Sequence, residues 1–363
     1  MNSWENQVTE KTNLPNSLLE HIPWDKDTNP IWPASSFFLH RNIAKYPFPH
    51  KMDEHQSLQI LEILKAPLLK LKNLNKPICL PAETLSALEK EFLCEHFLCR
   101  EGWQNASKGQ AFILDNSAKF LGALNIEDHL HLQWVDCKGE WEKAWGALNA
   151  IETAVGEVIN YAFSEKFGYL TADPFVCGTA LVIVCYLHLP ALIFSKQLEQ
   201  VLLSQKEESV VAQTMFGHMA NPVGDFVLLQ NKYTLGLIEE TILRDLHLTS
   251  TKLILSEKAL RLQYKENPPA ELKDLVSRAY GLLMHSYQLQ TQEALDALSK
   301  LKLGTDLGWI KGISDDLINE IFFRCRRAHL SQSREKPLAD KKELSHARAE
   351  FLHQQLKQAT LVI

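Results

Sequence analysis

The sequence predicts an α+β fold, a largely antiparallel sheet flanked by helices, followed by an all-helical C-terminal region. Three observations point there. A long amphipathic stretch, Glu140 to Lys166, lies among short hairpin-like strands. The apolar run Leu181 to Phe194 is broken by His188 and Pro190, so it reads as a buried strand and then a helix. Beyond about residue 255 the strand signals stop and apolar residues recur at helical spacing. The chain has 363 residues, 45% of them hydrophobic and 23% charged, enough for two domains. The expected divisions are a loose arm over 1–30, an α+β domain over 31–255 and a helical domain over 256–363.

Composition excludes several classes. A net charge of -6 argues against a general nucleic-acid binder. The 7 cysteines are scattered without a CxxC pair, as expected of idle thiols in a reducing cytoplasm. The N-terminus, MNSWENQVTEKTN, carries no signal-peptide core, and the run after Leu181 is too short for the ~20 residues that span a bilayer, so a soluble cytoplasmic protein is expected.

In chain order, the arm holds Trp24 and Trp32 as docking points. Leucines and isoleucines from Leu58 to Leu71 mark a first helix, and Pro81 opens a second through Leu98. Gln110 to Leu114 and Phe120 to Leu124 form a hairpin around Asp115-Asn116-Ser117. The long helix from Glu140 stops at Gly168. Ser209 to Gln213 and Phe226 to Gln230 are strands around a flexible GHMANPVGD loop, and Ile238 to Leu246 is helical. Leu272 to Leu289, Thr291 to Leu301, Ser314 to Phe323 and Ala347 to Leu356 are helices, with Ser314 as an N-cap and Asp315 and Asp316 suiting the first turn.

The stretch Ala123 to Trp134, ALNIEDHLHLQW, is the candidate site. Read as one strand, it places Glu127, His129, His131 and Gln133 on one face and Asp128, Leu130 and Leu132 on the other. That is a strand flooring a cleft. His129 and His131 at i, i+2 could converge on a metal, but no third ligand has the spacing, and no metal is expected.

Several words fall in one register from about Ile31 onward: NIEDHLHLQ, FGYLTADPFVCGTA followed by LHLPAL, NKYTLG, and AYGLLMHS with KLGTDLGWIKGIS. Together they resemble the bacterial protein arginine kinases, members of the ATP:guanido phosphotransferases with the phosphagen-kinase fold. The resemblance implies a catalytic domain on a curved antiparallel sheet and a helical C-terminal domain used for dimerisation and phosphoarginine sensing. It implies Mg-ATP as the phosphoryl donor, and as partners a small zinc-binding activator protein and a Clp-type unfoldase. In the word Asn125-Ile126-Glu127-Asp128-His129, Glu127 matches the carboxylate that holds and deprotonates the guanidinium, while Ile126 replaces a glutamate. Ser35, His96 and Gly217 match nucleotide-contacting positions, though His96 reads equally well as a helix-end histidine packed on the sheet.

The same register shows departures. The phosphate-gripping arginines of the family fall at Ser36, Phe38, His131, Val182 and Gln213. The loop glutamate is His218, the reactive cysteine is Asp173, and of the phosphoarginine-pocket word only Arg348 and Ala349 match. Phosphoryl transfer leaves the protein mainly positioning and charge neutralisation. Losing the guanidinium cage therefore implies a degenerate pseudokinase acting as a binding or regulatory subunit. The other reading is an active arginine-directed kinase with remodelled phosphate binding, for which Arg41, Lys45, Arg100 and Lys232 are candidate cations.

Overall fold

The computed structural model describes residues 12–24, 26–99, 103–204, 209–215, 217–219, 221–334 and 340–363. Its strands are β1 (Ala34–Arg41), β2 (Ile78–Pro81), β3 (Ala111–Leu114), β4 (Phe120–Leu124), β5 (Leu130–Asp136), β6 (Phe163–Ser164), β7 (Gly168–Tyr169), β8 (Leu181–His188), β9 (Val210–Thr214), β10 (Gly217–His218), β11 (Asn221–Pro222), β12 (Phe226–Asn231), β13 (Ile310–Lys311) and β14 (Thr360–Leu361). An 8-stranded sheet in the order β2-β3-β4-β5-β1-β8-β12-β9 carries the fold, and every neighbouring pair in it is antiparallel. The other strands form short ribbons.

The helices are α1 (Asn16–Glu20), α2 (Glu54–Leu68), α3 (Ala87–Phe97), α4 (Trp141–Gly156), α5 (Pro190–Phe194), α6 (Leu198–Ser204), α7 (Glu239–Glu266), α8 (Ala270–His285), α9 (Thr291–Asp306), α10 (Asp315–Arg324), α11 (Arg327–Gln332) and α12 (Lys341–Gln355). α4 packs on β1 and β5, and α7 on β8, β9 and β12, so both cover one face of the sheet. Phe37 of β1 meets Trp141 of α4 edge to face at 5.4 Å. β1 and β8 are buried almost throughout, which hides the alternation expected of a half-exposed strand.

Several local expectations give way to specific physics. The second helix does not open at Pro81; β2 ends there, and α3 starts after Ser86, whose side chain and that of Glu89 form a reciprocal capping box. The helix from Trp141 ends at Gly156, twelve residues before Gly168, and the Tyr161 ring packs over Gly156, where a Cβ would stand 3.0 Å from it. The GHMANPVGD stretch holds the β10–β11 ribbon in place of an open loop. α7 runs to Glu266, well past Leu246. Ser314 does cap α10, accepting from the Leu317 N–H at 3.2 Å.

The N-terminal segment docks as well. Trp24 is buried against Tyr186, Phe226, Phe322 and Phe323, stacking on Phe322 at 5.2 Å. The helical region closes over the sheet through α3 and α11. The Glu95 carboxylate accepts the Ala328 and His329 N–H groups at 3.1 Å and the His329 Nδ1 proton at 2.9 Å, which caps α11 from outside its own segment. Among the described residues no helix is long and apolar enough to cross a membrane.

Candidate active site

The antiparallel registers decide which residues share the sheet face opposite α4 and α7. Gln213 stands opposite Leu228, and Leu228 opposite Tyr186. Val182 stands opposite Phe38, and Phe38 opposite Gln133. His40 is opposite His131, and Ser36 lies between Val135 and Val184. Directly opposed residues project to the same side. Ser36, Phe38, His131, Val182 and Gln213 therefore share one face, the one turned away from α4 and α7. Along the described strands that face carries no lysine or arginine. Its polar groups are largely engaged. Ser36 Oγ lies 3.3 Å from both Gln133 Nε2 and the Tyr186 hydroxyl, and Gln133 Nε2 donates to the Phe97 carbonyl at 2.7 Å. His131 packs edge-on against His40 at 4.6 Å and Trp103 at 5.5 Å.

Ser35 is turned to the other face, buried, and accepts the Trp32 indole proton at 3.0 Å. It does not line the cleft, because a neighbour of Ser36 on a strand must project oppositely. His96 is fully buried, between Phe92, Phe97 and His329, with Nε2 on the Ala118 carbonyl at 3.3 Å. It is a packed histidine and has no surface to offer a nucleotide. Gly217 sits in the short β10 strand.

The signature word is not a continuation of the strand. Residues 125–129 form the bend between β4 and β5, closed by Asn125 N–H to the His129 carbonyl at 3.0 Å. Glu127 and His129 therefore do not share a strand face with His131 and Gln133. Asn125 has φ 59°, a left-handed conformation that asparagine tolerates better than most residues. Its side-chain amide donates to the Ser57 carbonyl at 2.8 Å and the Gly109 carbonyl at 2.9 Å, tying the bend to α2. Gly109 itself has φ +80°, and a Cβ there would meet Ser57 Cβ at 2.7 Å. Asn125→Ala is expected to cost about 2–3 kcal/mol through lost hydrogen bonds and strain, and Asn125→Gly less; urea unfolding of the two variants distinguishes the terms.

Asp128 and His129 hold this bend to the exit of β1. The Asp128 carboxylate accepts from His40 Nδ1 at 3.0 Å, Asn42 Nδ2 at 2.6 Å and the Ala172 N–H at 2.7 Å. Burial pushes that carboxyl up, but the bonds from His40, Ala172 and Asn42 outweigh it, and the net position is below the ordinary aspartate range. His129 Nδ1 accepts the Ile43 N–H and Nε2–H donates to the Pro47 carbonyl, both at 2.9 Å, which fixes a neutral tautomer. Neither ring nitrogen remains to join His131 in binding a metal.

Glu127 is the exposed member of the word, and among the described residues it makes no hydrogen bond or ion pair. Burial, then Cys94 and Glu127, push the Cys99 thiol well up, and that thiol donates to Gln133 Oε1 at 3.2 Å. Glu127 thus stands at the edge of the same polar cluster. Asp173, at the family's reactive-cysteine position, caps the turn Pro174–Val176 by accepting the Phe175 N–H at 3.0 Å.

Of the candidate replacement cations, Arg41 does not reach this face. Arg41 lies on the opposite face in a buried pair with Glu152 at 2.6 Å. Lys45 and Lys232 are exposed, and Arg100 lies outside the described residues. Among the described residues the guanidinium of Arg326, between α10 and α11, reaches the Tyr186 side of the sheet. It is buried, stacks 4.2 Å over Phe322, and donates to Met215 Sδ at 3.3 Å and the Glu95 carbonyl at 3.4 Å. Arg348 is likewise buried, donating to the Cys325 and Leu289 carbonyls at 2.7 Å, with Ala349 buried beside it.

Two family profiles match most of the chain. The profile of the ATP:guanido phosphotransferase C-terminal catalytic domain matches residues 59–260, and that of the protein-arginine kinase McsB C-terminal domain matches residues 269–361. A protein-arginine kinase of Chlamydia pneumoniae is 36% identical over 351 residues, 95% of this chain and 98% of that protein. The chain belongs to the protein-arginine kinase family. A relative of the same name from Bacillus mycoides is 30% identical, spanning 92% of this chain and 96% of its own. Among solved structures, lombricine kinase superposes with a TM-score of 0.56 at 18% identity, over 66% of this chain and 70% of that one. The duplicated taurocyamine kinase of Schistosoma mansoni, solved with transition-state analogue components, gives 0.58 at 18% identity, over 71% of this chain and 38% of that one. These likenesses establish the phosphagen-kinase fold.

Proposed function

We propose that this member of the protein-arginine kinase family is a pseudokinase, a binding or regulatory subunit whose cleft no longer grips a nucleotide. The observation that carries this reading is the sheet face away from α4 and α7: serine, phenylalanine, histidine, valine and glutamine at Ser36, Phe38, His131, Val182 and Gln213, with no cation beside them on the strands. A triphosphate needs planar, bidentate guanidinium partners to offset its charge, and a single arginine finger can contribute ~10³ to 10⁵ in rate. A phosphate pressed against Val182 and Phe38 without counter-charges is disfavoured by several kcal/mol, by the reasoning for unpaired buried ions. The residues present do not fit Mg-ATP. On this reading the partners are those of the family, a zinc-binding activator protein and a Clp-type unfoldase.

The second reading is an active kinase that phosphorylates arginine side chains of proteins. It is favoured by relatives named protein-arginine kinase at 36% and 30% identity and by the exposed carboxylate of Glu127. Thermal shift with Mg-ATP, alone and with the activator protein, separates the two. A ligand at about 100 times its dissociation constant adds ~2.7 kcal/mol of stability. The expected result is no shift. A shift at micromolar ATP, together with acid-labile phosphoarginine on a test protein, overturns the pseudokinase reading.

A further inference from the structure

The 28-residue helix α7 buries one side against the sheet through Ile242, Leu246, Leu253 and Leu260. Its other side presents Leu248, Leu255 and Leu262 at 46%, 60% and 61% exposure. Their seven-residue spacing sets them in one line along the helix, the spacing of a coiled-coil seam. The geometry points to a second copy of this chain as the occupant of that seam, packed antiparallel across a two-fold axis through Leu255.

The argument is self-complementarity, which a two-fold contact demands. In that register Leu255 meets its own copy and Leu248 meets Leu262. Thr251 faces Ala259, a small pair that lets the helices approach, and the Thr251 hydroxyl is already satisfied by the His247 carbonyl at 2.8 Å. At the ends Arg244 faces Glu266, so two opposite-charge pairs close the seam. Arg244 now rests on its neighbour Asp245 at 3.1 Å with its side chain 71% exposed, and can swing to the new partner. The opposing term is Lys252 against Lys258 at the rim. Lys252 is half-buried and engaged within its own chain, and the exposed Lys258 can extend its ammonium into water. A seam of this length is small beside the ~1,200 Å² of stable interfaces, so the contact is weak and concentration-dependent. It is also a different surface from the C-terminal helices to which the family resemblance assigns pairing, and it does not depend on whether the cleft binds ATP.

The test is cross-linking of the full-length protein at tens of micromolar. Leu255→Cys is expected to give a covalent dimer under mild oxidation, faster than the unaltered chain or Val158→Cys, whose site is more exposed still. Arg244→Glu in that background sets like charges against each other and is expected to slow cross-linking about tenfold, and Arg244→Glu with Glu266→Arg restores it. Cross-linking of Leu255→Cys no faster than that of Val158→Cys overturns the proposal. So does an Arg244→Glu variant that cross-links unchanged, or a double reversal that fails to recover.

Discussion

Arg41→Met is expected to lower stability by about 3–5 kcal/mol and to leave the absence of a response to Mg-ATP unchanged. Arg41 matches nothing on the cleft face, because it follows Leu39 on the side of β1 packed against α4. Its Nε donates to Glu152 at 2.6 Å, its Nη1 to the His40 carbonyl at 2.8 Å and the Thr179 carbonyl at 3.1 Å, and its guanidinium lies 3.4 Å over the Tyr169 ring. Both members of the pair are at least nine-tenths buried. Methionine keeps the volume but strands the Glu152 carboxylate in a low-dielectric site and leaves two backbone carbonyls without their donor. Urea unfolding measures the loss. If Arg41→Met were nearly neutral for folding yet changed the response to Mg-ATP, the arginine would be a phosphate ligand, and the cleft would hold a cation after all.

The difference between that role and a catalytic one is not legible in sequence. Strand alternation does place Ser36 and Phe38 together, and the register with Val182 and His131 follows once β1 is known to pair with β5 and β8. The strand itself is hard to see: SSFFLHRN is buried on both sides, so it lacks the period that reveals a half-exposed strand. In ALNIEDHLHLQW the opposite error arises, since the alternation of Glu127, His129, His131 and Gln133 continues through a bend. The one local sign of the bend is Asn125, whose left-handed backbone reverses the chain. What holds the bend, Asp128 to His40 and Asn42, spans 88 and 86 residues, and only the folded chain brings them together. The length of α7 is a similar case. Thr249, Ser250 and Thr251 favour a break, yet Thr249 and Thr251 donate to the Asp245 and His247 carbonyls one turn back, so their hydroxyls are satisfied within the helix. The burial of Arg326 depends on Phe322 and Glu95 converging from two different elements.

Acidification from pH 7 to pH 5 is expected to remove much of the protein's stability, before most carboxylates titrate. His96, His129 and His188 are all buried and all held below the ordinary histidine pKa, burial being the largest cause for each. For His188 the nearby Lys302 and Arg261 push further in the same direction. Its Nδ1 faces Arg261 Nη2 at 3.5 Å while Nε2–H donates to Ser299 Oγ at 2.8 Å, so a second proton would meet a guanidinium. His129 would lose the Ile43 N–H bond on protonation. The sign follows from linkage. The unfolded chain binds these protons near pH 6.5 and the folded chain does not, so the stability is complete above about pH 6.5 and is lost as pH falls below it. Each histidine that stays neutral contributes a slope approaching ~1.4 kcal/mol per pH unit, or about 2 kcal/mol by pH 5, against a total near 5–15 kcal/mol. Glu257 and Asp296, both pushed up by burial, take up protons early in the folded state and offset part of the loss. Asp128, held down by its donors, adds to the loss only below about pH 4. Thermal melts at pH 7, 6 and 5 read the slope. His188→Gln keeps a donor for Ser299 but cannot be protonated, so it should be less stable than the parent at pH 7 and flatter in its response by up to ~1.4 kcal/mol per pH unit. A parent protein with the same melting temperature at pH 7 and pH 5 would show that these imidazoles accept protons without unfolding, contrary to the packing described for them.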